Sequence, residues 1–407
     1  MKKVLQRWHA VWQRHRGRLL PSLVCLMATA AVLKLPRDFY RLVWDTGYHG
    51  AIDLKLIRLY VLNWFSGGTR ITFYPPAAYV LLWPLVGWCP VPVARWIWAI
   101  TSVLALTGSV ILMLRITNAK TTWERWFVAL LLLSLVGTAA TIGNGQLILH
   151  LLPAILGSVL ILECGHATWV GDLAVAALMT WVLMKPTVGA PFFWVFLFVW
   201  KRLRPALLIV TLYCAVTLFA CAFRHESVFE LLRRFVISSS VGAAWYPSTR
   251  NIHALLADLD LREWGAVASL TVLVGLGVWT YLNRRADPWL LVGVAALVAR
   301  MWTYHRIYDD VLIVLAEVAL FRVATRDLSA DRRTLAGFLL GLTALAMLCP
   351  GTLVEDPDRS IWIFRSGQVV WWLVVLGFLM YFAREELSPE DRREAESGQK
   401  RLRRLWV

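Results

Sequence analysis

Long apolar runs dominate the chain, and short polar stretches separate them. A helix that crosses a membrane needs roughly 20 mainly apolar residues, and twelve stretches come close to that length. They lie near residues 19–36, 92–114, 125–142, 145–162, 171–185, 187–200, 204–223, 265–282, 287–302, 308–324, 334–350 and 367–383. The pattern therefore predicts an all-α, polytopic integral membrane protein with about 12 transmembrane helices.

A further apolar stretch, residues 73–88, is shorter and contains Pro75, Pro76 and Pro84. Proline disrupts the interior of a helix, and the stretch is too short to span a bilayer. We predict a helix that lies near the membrane surface, within an amphipathic first outer loop over residues 37–91. This assignment fixes the direction of every later crossing.

Clusters of lysine and arginine set the orientation of the chain. Short basic loops favour the cytoplasmic side, and such clusters stand at 201–204, at 283–285 and in the RLRR motif of the C-terminal tail. We predict a basic cytoplasmic N-terminus over residues 1–18 and a charged cytoplasmic tail over residues 384–407. No internal repeat or linker is visible, so the prediction is a single domain, 1–407, in the cell (inner or plasma) membrane.

Composition agrees with a membrane protein, because 59% of the residues are hydrophobic and only 17% are charged. The net charge is +16, and the lysines and arginines stand between apolar runs, where they orient the chain. The predicted partner is therefore the lipid bilayer and not nucleic acid. The six cysteines have no zinc-site spacing. We predict no metal site from them.

Two aspartates follow the first crossing, in the stretch GYHGAIDLKLIRLY and just before it. A carboxylate in a partly dry cavity can act as the base when a sugar moves to a hydroxyl, which makes Asp53 and Asp45 candidate catalytic residues. From spacing alone, a structural interpretation is somewhat stronger for Asp53, because an aspartate also favours a helix N-terminus. For Asp45 a loop or capping role is the alternative.

Cations on the predicted outer side are candidates for binding a phosphate. Lys185 stands between two apolar runs, where an ionisable group is costly unless it is paired or wet. Snorkelling to the membrane interface is an equally good interpretation of Lys185. Arg250 and Arg306 are candidates for the same role, with an ordinary interfacial position as the stronger alternative for each.

The densest polar group is WTYHRIYDD at residues 302–310. His305 can move a proton or donate to a phosphate, and it joins the catalytic candidates. Polar residues at helix ends are candidates for sugar binding, although each could simply satisfy the end of a helix. They are Asn144, Gln146, Tyr308 and Asp309.

Familiar signatures of other chemistries are missing from the sequence. There is no Walker loop, no H-E-x-x-H and no G-x-S-x-G, and the D-x-D match at 258–260 has no α/β unit around it. We therefore predict no cofactor, with dependence on a divalent metal left open, and an energy source that is already on the outer side. A lipid-linked activated sugar fits that requirement.

These residues resemble a known family, the polyprenol-phosphate-mannose-dependent mannosyltransferases of the GT-C superfamily, glycosyltransferase family 87. The resemblance lies in short motifs that occur in the family's order. They are Asp53-Leu-Lys-Leu-Ile57 with Gly67 and Tyr74-Pro-Pro76, then Gly145-Gln146, Lys185-Pro186, and His305-Arg-Ile-Tyr308-Asp309. Two positions depart from the family pattern, because Ile57 replaces the usual tyrosine and Asn251-Ile-His253 only loosely matches Asn-Gln-Ser.

The resemblance implies a GT-C type fold and an inverting transfer of a hexose, mannose in the family, from a polyprenyl-phosphate donor to a glycan or glycolipid acceptor. It favours Asp53 over Asp45 as the base, and it implies that Lys185, His305 and Arg306 stabilise the phosphate. The active site would face the periplasmic or extracellular side. Two alternatives stay open at this point: a flippase or transporter for a lipid-linked sugar, and an O-antigen polymerase or ligase.

Overall fold

A computed structural model describes most of the chain. The described residues are 2–68, 74–165, 168–200, 203–224, 226–244, 251–303, 305–326, 329–348 and 357–385. Within these ranges the protein is helical and contains no β-strand, which confirms the all-α prediction.

Seventeen α-helices occur in the described ranges. They are α1 (Lys2–Val43), α2 (Ile52–Phe65), α3 (Pro76–Val86), α4 (Val91–Thr117), α5 (Thr122–Leu133), α6 (Val136–Asn144), α7 (Ile148–Cys164), α8 (Trp169–Val182), α9 (Pro186–Phe198), α10 (Arg204–Cys221), α11 (Val228–Ala244), α12 (Ile252–Asp258), α13 (Gly265–Leu282), α14 (Pro288–Met301), α15 (Ile313–Thr325), α16 (Ala330–Leu348) and α17 (Pro357–Glu385). Two 3₁₀ helices, Arg262–Trp264 and Ile307–Leu312, precede α13 and α15.

Several of these helices can cross a membrane by length and apolar composition. Among the described residues, five qualify: Gly17–Val43, Val91–Thr117, Arg204–Cys221, Arg262–Leu282 and Ser366–Arg384. The bent pair α5 and α6, with 45° between them, would make a sixth. The protein is therefore a helical protein of the polytopic membrane type.

Each of the twelve predicted segments overlaps a helix of the structure. Five of the apolar helices, α3, α7, α8, α9 and α14, have only 10–17 residues, which is below the length that a straight crossing requires. The number twelve, the GT-C type, the single domain and the cytoplasmic termini therefore stay predictions.

The first predicted outer loop contains two short helices. α2 buries Leu54, Ile57, Val61 and Trp64, a spacing that places the four side chains on one face. Trp64 stacks on Tyr79 of α3, with 4.6 Å between ring centroids. The predicted surface helix is confirmed as a helix, α3, and its depth in the membrane stays a prediction.

Breaks between helices converge on one region of the fold. Ala51 donates its backbone N–H to the carbonyl of Gly143, at 3.1 Å, and so joins the start of α2 to the end of α6. Thr141 donates to the carbonyl of Tyr308, at 3.1 Å. Trp302 donates its indole N–H to the carbonyl of Thr187, at 2.7 Å. These contacts join the start of α2 to the end of α6, α6 to the 3₁₀ helix Ile307–Leu312, and the start of α9 to the end of α14.

Candidate functional site

Asp53 lies in the first turn of α2, where the positive end of the helix dipole favours a carboxylate. The side chain of Gln146 hydrogen-bonds to this carboxylate. The Oδ2 atom of Asp53 is buried and has no hydrogen-bond partner among the described residues. Since most buried polar atoms are hydrogen-bonded, this oxygen has room to accept a hydrogen bond from a ligand.

Burial and charge act in opposite directions on this carboxylate. Desolvation raises the pKa of Asp53, while the hydrogen bond from Gln146 and the charges of Arg306 and Lys185 oppose the rise. The raised pKa makes Asp53 a stronger base than an aspartate in water. The same electrostatic interactions place Asp53, Lys185 and Arg306 near one another.

Asp309 forms the centre of a second group of charges. Its Oδ1 accepts a hydrogen bond from Lys185 Nζ at 2.5 Å, and its Oδ2 accepts from His305 Nδ1 at 3.0 Å and from the backbone N–H of Arg306 at 3.2 Å. Burial acts to raise the pKa of Asp309, but the charge of Lys185 and the contact with His305 outweigh it and hold the pKa below its usual range. Asp309 is therefore an ionised acceptor.

The protonation of His305 follows from this contact. An ionised carboxylate can only accept, so Nδ1 of His305 must carry the proton. Burial lowers the pKa of His305, against the opposing effect of Asp309, and the ring is neutral at pH 7. Its Nε2 is then an acceptor and lies 3.2 Å from Thr303 Oγ1. His305 is fully buried, so it acts on the site through Asp309.

Lys185 is the N-cap residue of α9, where Pro186 begins the helix with a ring suited to the first helical position. Its ammonium group lies over the ring of Tyr308, 5.2 Å from the centroid. The side chain keeps 14% of its surface exposed, against 2% for that of Asp309. Lys185 is thus paired on one side and open on another.

The structure brings together most of the predicted site residues, but it leaves two apart from them. Asp45 accepts from the backbone N–H of Gly47 at 2.8 Å, a local turn contact of the kind that aspartate often makes. Asn144 accepts from Arg41 Nη2 at 3.1 Å and so lies at the edge of the group. The prediction for Arg250 lies outside the described residues.

Two residues of the site were missed by the sequence analysis. Tyr74 lies close enough to Asp53 and Asp309 for both carboxylates to act on it. Burial raises the pKa of its phenol, and the two negative charges raise it further, so the phenol stays protonated. The signal was present, because Tyr74 begins the Tyr-Pro-Pro motif. Arg41, which contacts Asn144, had no sequence signal beyond its place at the end of the first apolar run.

Not every charge near these helix ends belongs to the group around Asp53 and Asp309. Arg300 donates to Asp310 at 2.5 Å and lies over the ring of Trp372, 4.9 Å from the centroid. Both members of the pair are buried. We interpret it as a structural pair between α14 and the 3₁₀ helix Ile307–Leu312. Across the described ranges, no group of three or more His, Cys, Asp or Glu side chains is arranged to hold a metal ion.

Comparison with known proteins identifies the family. No curated protein and no solved structure matches the chain. The model of glycosyltransferase family 87 matches residues 72–303, a range that includes Tyr74, Gln146 and Lys185. Asp53 lies before this range, and His305 lies just after it. Since the match covers more than half of the 407 residues, the chain belongs to glycosyltransferase family 87 and is a membrane glycosyltransferase.

Proposed function

We propose that the protein transfers a hexose, with mannose as the first candidate, from a polyprenyl-phosphate donor to a hydroxyl of a glycan or glycolipid, with inversion at the anomeric carbon. The observation that carries the proposal is the state of Asp53. Its Oδ2 atom is buried and has no hydrogen-bond partner among the described residues, and two cations act on the carboxylate. This is the environment that a general base for a hydroxyl group requires.

In the proposed step, Asp53 Oδ2 accepts the hydrogen bond and then the proton of the acceptor hydroxyl. The acceptor oxygen attacks the anomeric carbon and forms the new glycosidic bond. The bond from that carbon to the phosphate oxygen breaks, and its electron pair leaves with the polyprenyl phosphate. Asp53 becomes neutral as the phosphate gains negative charge, so negative charge moves from the carboxylate to the leaving group.

In the proposal, Lys185 and Arg306 stabilise the charge that the phosphate gains. Support comes from the electrostatic effect that both cations have on Asp53. Fixed charges that face the developing charge in a dry site contribute strongly to catalysis. Asp309 and His305 hold Lys185 in position and do not contact the phosphate in this scheme. The direct role of His305 in catalysis and that of Asp309 in sugar binding stay predictions that this scheme does not use.

Gln146 has a double function in the proposal. Its amide N–H group holds one part of the Asp53 carboxylate, while its Oε1 is buried without a partner among the described residues. That oxygen is free to accept from a sugar hydroxyl. The protonated phenol of Tyr74 is a further donor beside Asp53. Asn144, the other predicted sugar contact, is occupied by Arg41.

We propose that this site opens on the periplasmic or extracellular side, with both termini in the cytoplasm. Support comes from the basic clusters at 201–204 and 283–285. The clusters follow the C-terminal ends of α9 and α13, whereas Lys185 and the start of α13 lie at the N-terminal ends of these two helices. Positive charge favours the cytoplasmic side. The donor lipid would then reach the site from the outer leaflet.

The test is an assay with purified protein, polyprenyl-phosphate mannose labelled in the sugar, and a panel of glycan and glycolipid acceptors. We expect label in a new glycosidic product and release of polyprenyl phosphate in equal amount. A nucleotide sugar with the same label is the matched control and should give no product. Transfer from the nucleotide sugar alone would contradict the donor assignment, and transport of the labelled lipid without a new bond would support the flippase alternative.

A further inference from the structure

Arg41 joins two parts of the molecule that are distant in sequence. It lies in the last turn of α1, and its Nη1 donates to Asp38 Oδ1 at 2.7 Å. Its Nη2 donates to Asn144 Oδ1 at 3.1 Å, across 103 residues of sequence. An arginine at a helix C-terminus commonly serves the helix dipole alone, but this guanidinium instead points sideways to the turn after α6.

That turn, Gly143-Asn-Gly-Gln146, carries the side chain that holds Asp53. Gly143 accepts from Ala51, two residues before Asp53. Gly145 has a φ of +71°, and a side chain there would overlap Leu54, one residue after Asp53. The turn therefore contacts α2 on both sides of the base and also reaches it through Gln146.

We propose that Asp38 and Arg41 are positioning residues, which fix the Gly143–Gln146 turn so that Gln146 aligns the carboxylate of Asp53. The inference rests on the proposed base role of Asp53. The pair is closely fitted to the turn, because a methyl group on Gly143 would overlap both Asp38 Oδ1 and Arg41 Nη1. Asp38 is buried and Arg41 is partly buried, and the hydrogen bond between these two charged groups is stronger than one between neutral groups.

The test is a double-mutant cycle of Arg41→Ala and Gln146→Ala, measured as kcat, donor KM and the pH dependence of kcat. Displacement of a reacting group by about 1 Å can cost roughly 100-fold in rate, so we expect each single change to lower kcat by about 10- to 100-fold with little change in donor KM. The double variant should be no slower than the slower single variant, because both changes remove the same alignment. Losses that multiply would overturn the proposal.

The pH profile separates positioning from a purely structural role. In Arg41→Ala, Gln146 should lose its alignment with Asp53, and with it a hydrogen bond that favours the charged form of the carboxylate. The pKa of Asp53 should then rise, so the acidic limb of the profile, where kcat falls with falling pH, should move to higher pH. A purely structural defect would reduce the amount of active enzyme and leave the limb where it is in the native protein. An unmoved limb would therefore reject the proposal.

Arg41→Lys keeps the proposal testable if Arg41→Ala does not fold. The lysine ammonium can pair with Asp38 but lacks the second nitrogen that reaches Asn144, so the limb should move in the same direction. Arg37→Ala, an exposed arginine on the same helix, is the matched control and should behave as the native enzyme. Asp53→Asn in the same assay tests the base role of Asp53 separately. If Asp53→Asn is inactive while Arg41→Lys behaves as the native enzyme, the base role stands and only the positioning role of Arg41 is rejected.

Discussion

Asp53 and Asp287 both stand at the start of a helix, but their surroundings differ. Asp287 is the N-cap residue of α14. Its Oδ1 accepts from the backbone N–H of Trp289 at 2.8 Å, and its Oδ2 accepts from Arg322 at 2.8 Å and pairs with Arg326. Both oxygens are occupied by groups of the protein. Asp53 has Gln146 on its carboxylate and one buried oxygen without a partner in the described residues.

If Asp53 is the base that we propose, the difference separates a structural carboxylate from a reactive one. Saturated hydrogen bonds stabilise the charge of Asp287 and join α14 to α15, but they leave no position for a ligand. The open oxygen of Asp53 costs stability, since an unpartnered buried polar group is unfavourable by about 1–3 kcal/mol. A site that binds substrate can recover that cost when the substrate binds.

Asp53→Asn should cause the largest loss of transfer rate among the variants that test the contrast between Asp53 and Asp287. An amide cannot take the proton, and loss of a general base typically costs about 10²- to 10⁴-fold in rate, so we expect a loss in that range without a loss of folded protein. Turnover of polyprenyl-phosphate mannose and the midpoint of thermal unfolding would be measured together.

Asp45→Asn is the matched control for this experiment, because Asp45 lies in the same loop and makes only a local turn contact. We expect a much smaller loss there. A greater loss for Asp45→Asn than for Asp53→Asn would exchange the roles of the two aspartates.

Lys185→Met should come second in size. It removes a cation from the proposed phosphate site and breaks the buried pair with Asp309, which keeps its bonds to His305 and to the backbone of Arg306 but loses its cation, a change that costs about 3–5 kcal/mol in stability. We expect a higher donor KM and a lower kcat per folded molecule, measured by initial rates normalised to folded protein.

Arg300→Met provides the control for stability. Arg300 also belongs to a buried ion pair, with Asp310, so its loss should lower stability to a similar extent. The rate per folded molecule should change much less than it does for Lys185→Met. Equal kinetic losses in the two variants would argue against phosphate binding by Lys185.

The pH dependence of the native enzyme sharpens the contrast without a mutation. The base must be deprotonated, so kcat falls as the pH drops through the pKa of Asp53. Because burial raises that pKa above the ordinary value of 3.8, we expect the acidic limb to lie above pH 3.8. A stopped assay over a pH series at saturating donor would measure it. A limb at the ordinary value of an aspartate in water would speak against a desolvated base.

Asp287→Asn should have the smallest effect on catalysis. The change weakens contacts with two arginines, and a hydrogen bond to a charged group contributes about 1.5–3 kcal/mol. We expect a lower thermal midpoint and an unchanged kcat per folded molecule. A loss of kcat without a loss of stability would contradict this expectation and would show that the contacts of Asp287 between α14 and α15 affect the geometry of the site.

Much of the helical layout could be predicted from the sequence, because apolar runs are a direct consequence of the solvent that surrounds them. The positions of Asp53, Lys185 and Asp309 were also visible, since ionisable groups at the edges of apolar runs are costly without a function or a partner. The number of crossings could not be derived in this way. Bends such as that between α5 and α6, and short helices such as α9, blur the length criterion.

The roles within the site depended on burial and contacts that no spacing reveals. The family motif favours Asp53 over Asp45 in sequence, but the physical difference between them lies in contacts: Asp45 makes a local turn contact, whereas Asp53 has a buried Oδ2 without a partner among the described residues. The neutral state of His305 follows from its ionised neighbour Asp309 and from full burial. Arg41 acts across 103 residues, a separation that local patterns cannot report.

The pair of Lys185 with Asp309 joins residues 124 positions apart, and this distance has a consequence for biosynthesis. A ribosome makes Lys185 well before its partner, so a nascent chain that ends near residue 300 contains the lysine but not the carboxylate that neutralises it. Until Asp309 arrives, Lys185 must remain in contact with water or headgroups. The enzyme therefore completes this ion pair late in synthesis, and a chain released by premature termination before Asp309 would contain Lys185 without its carboxylate.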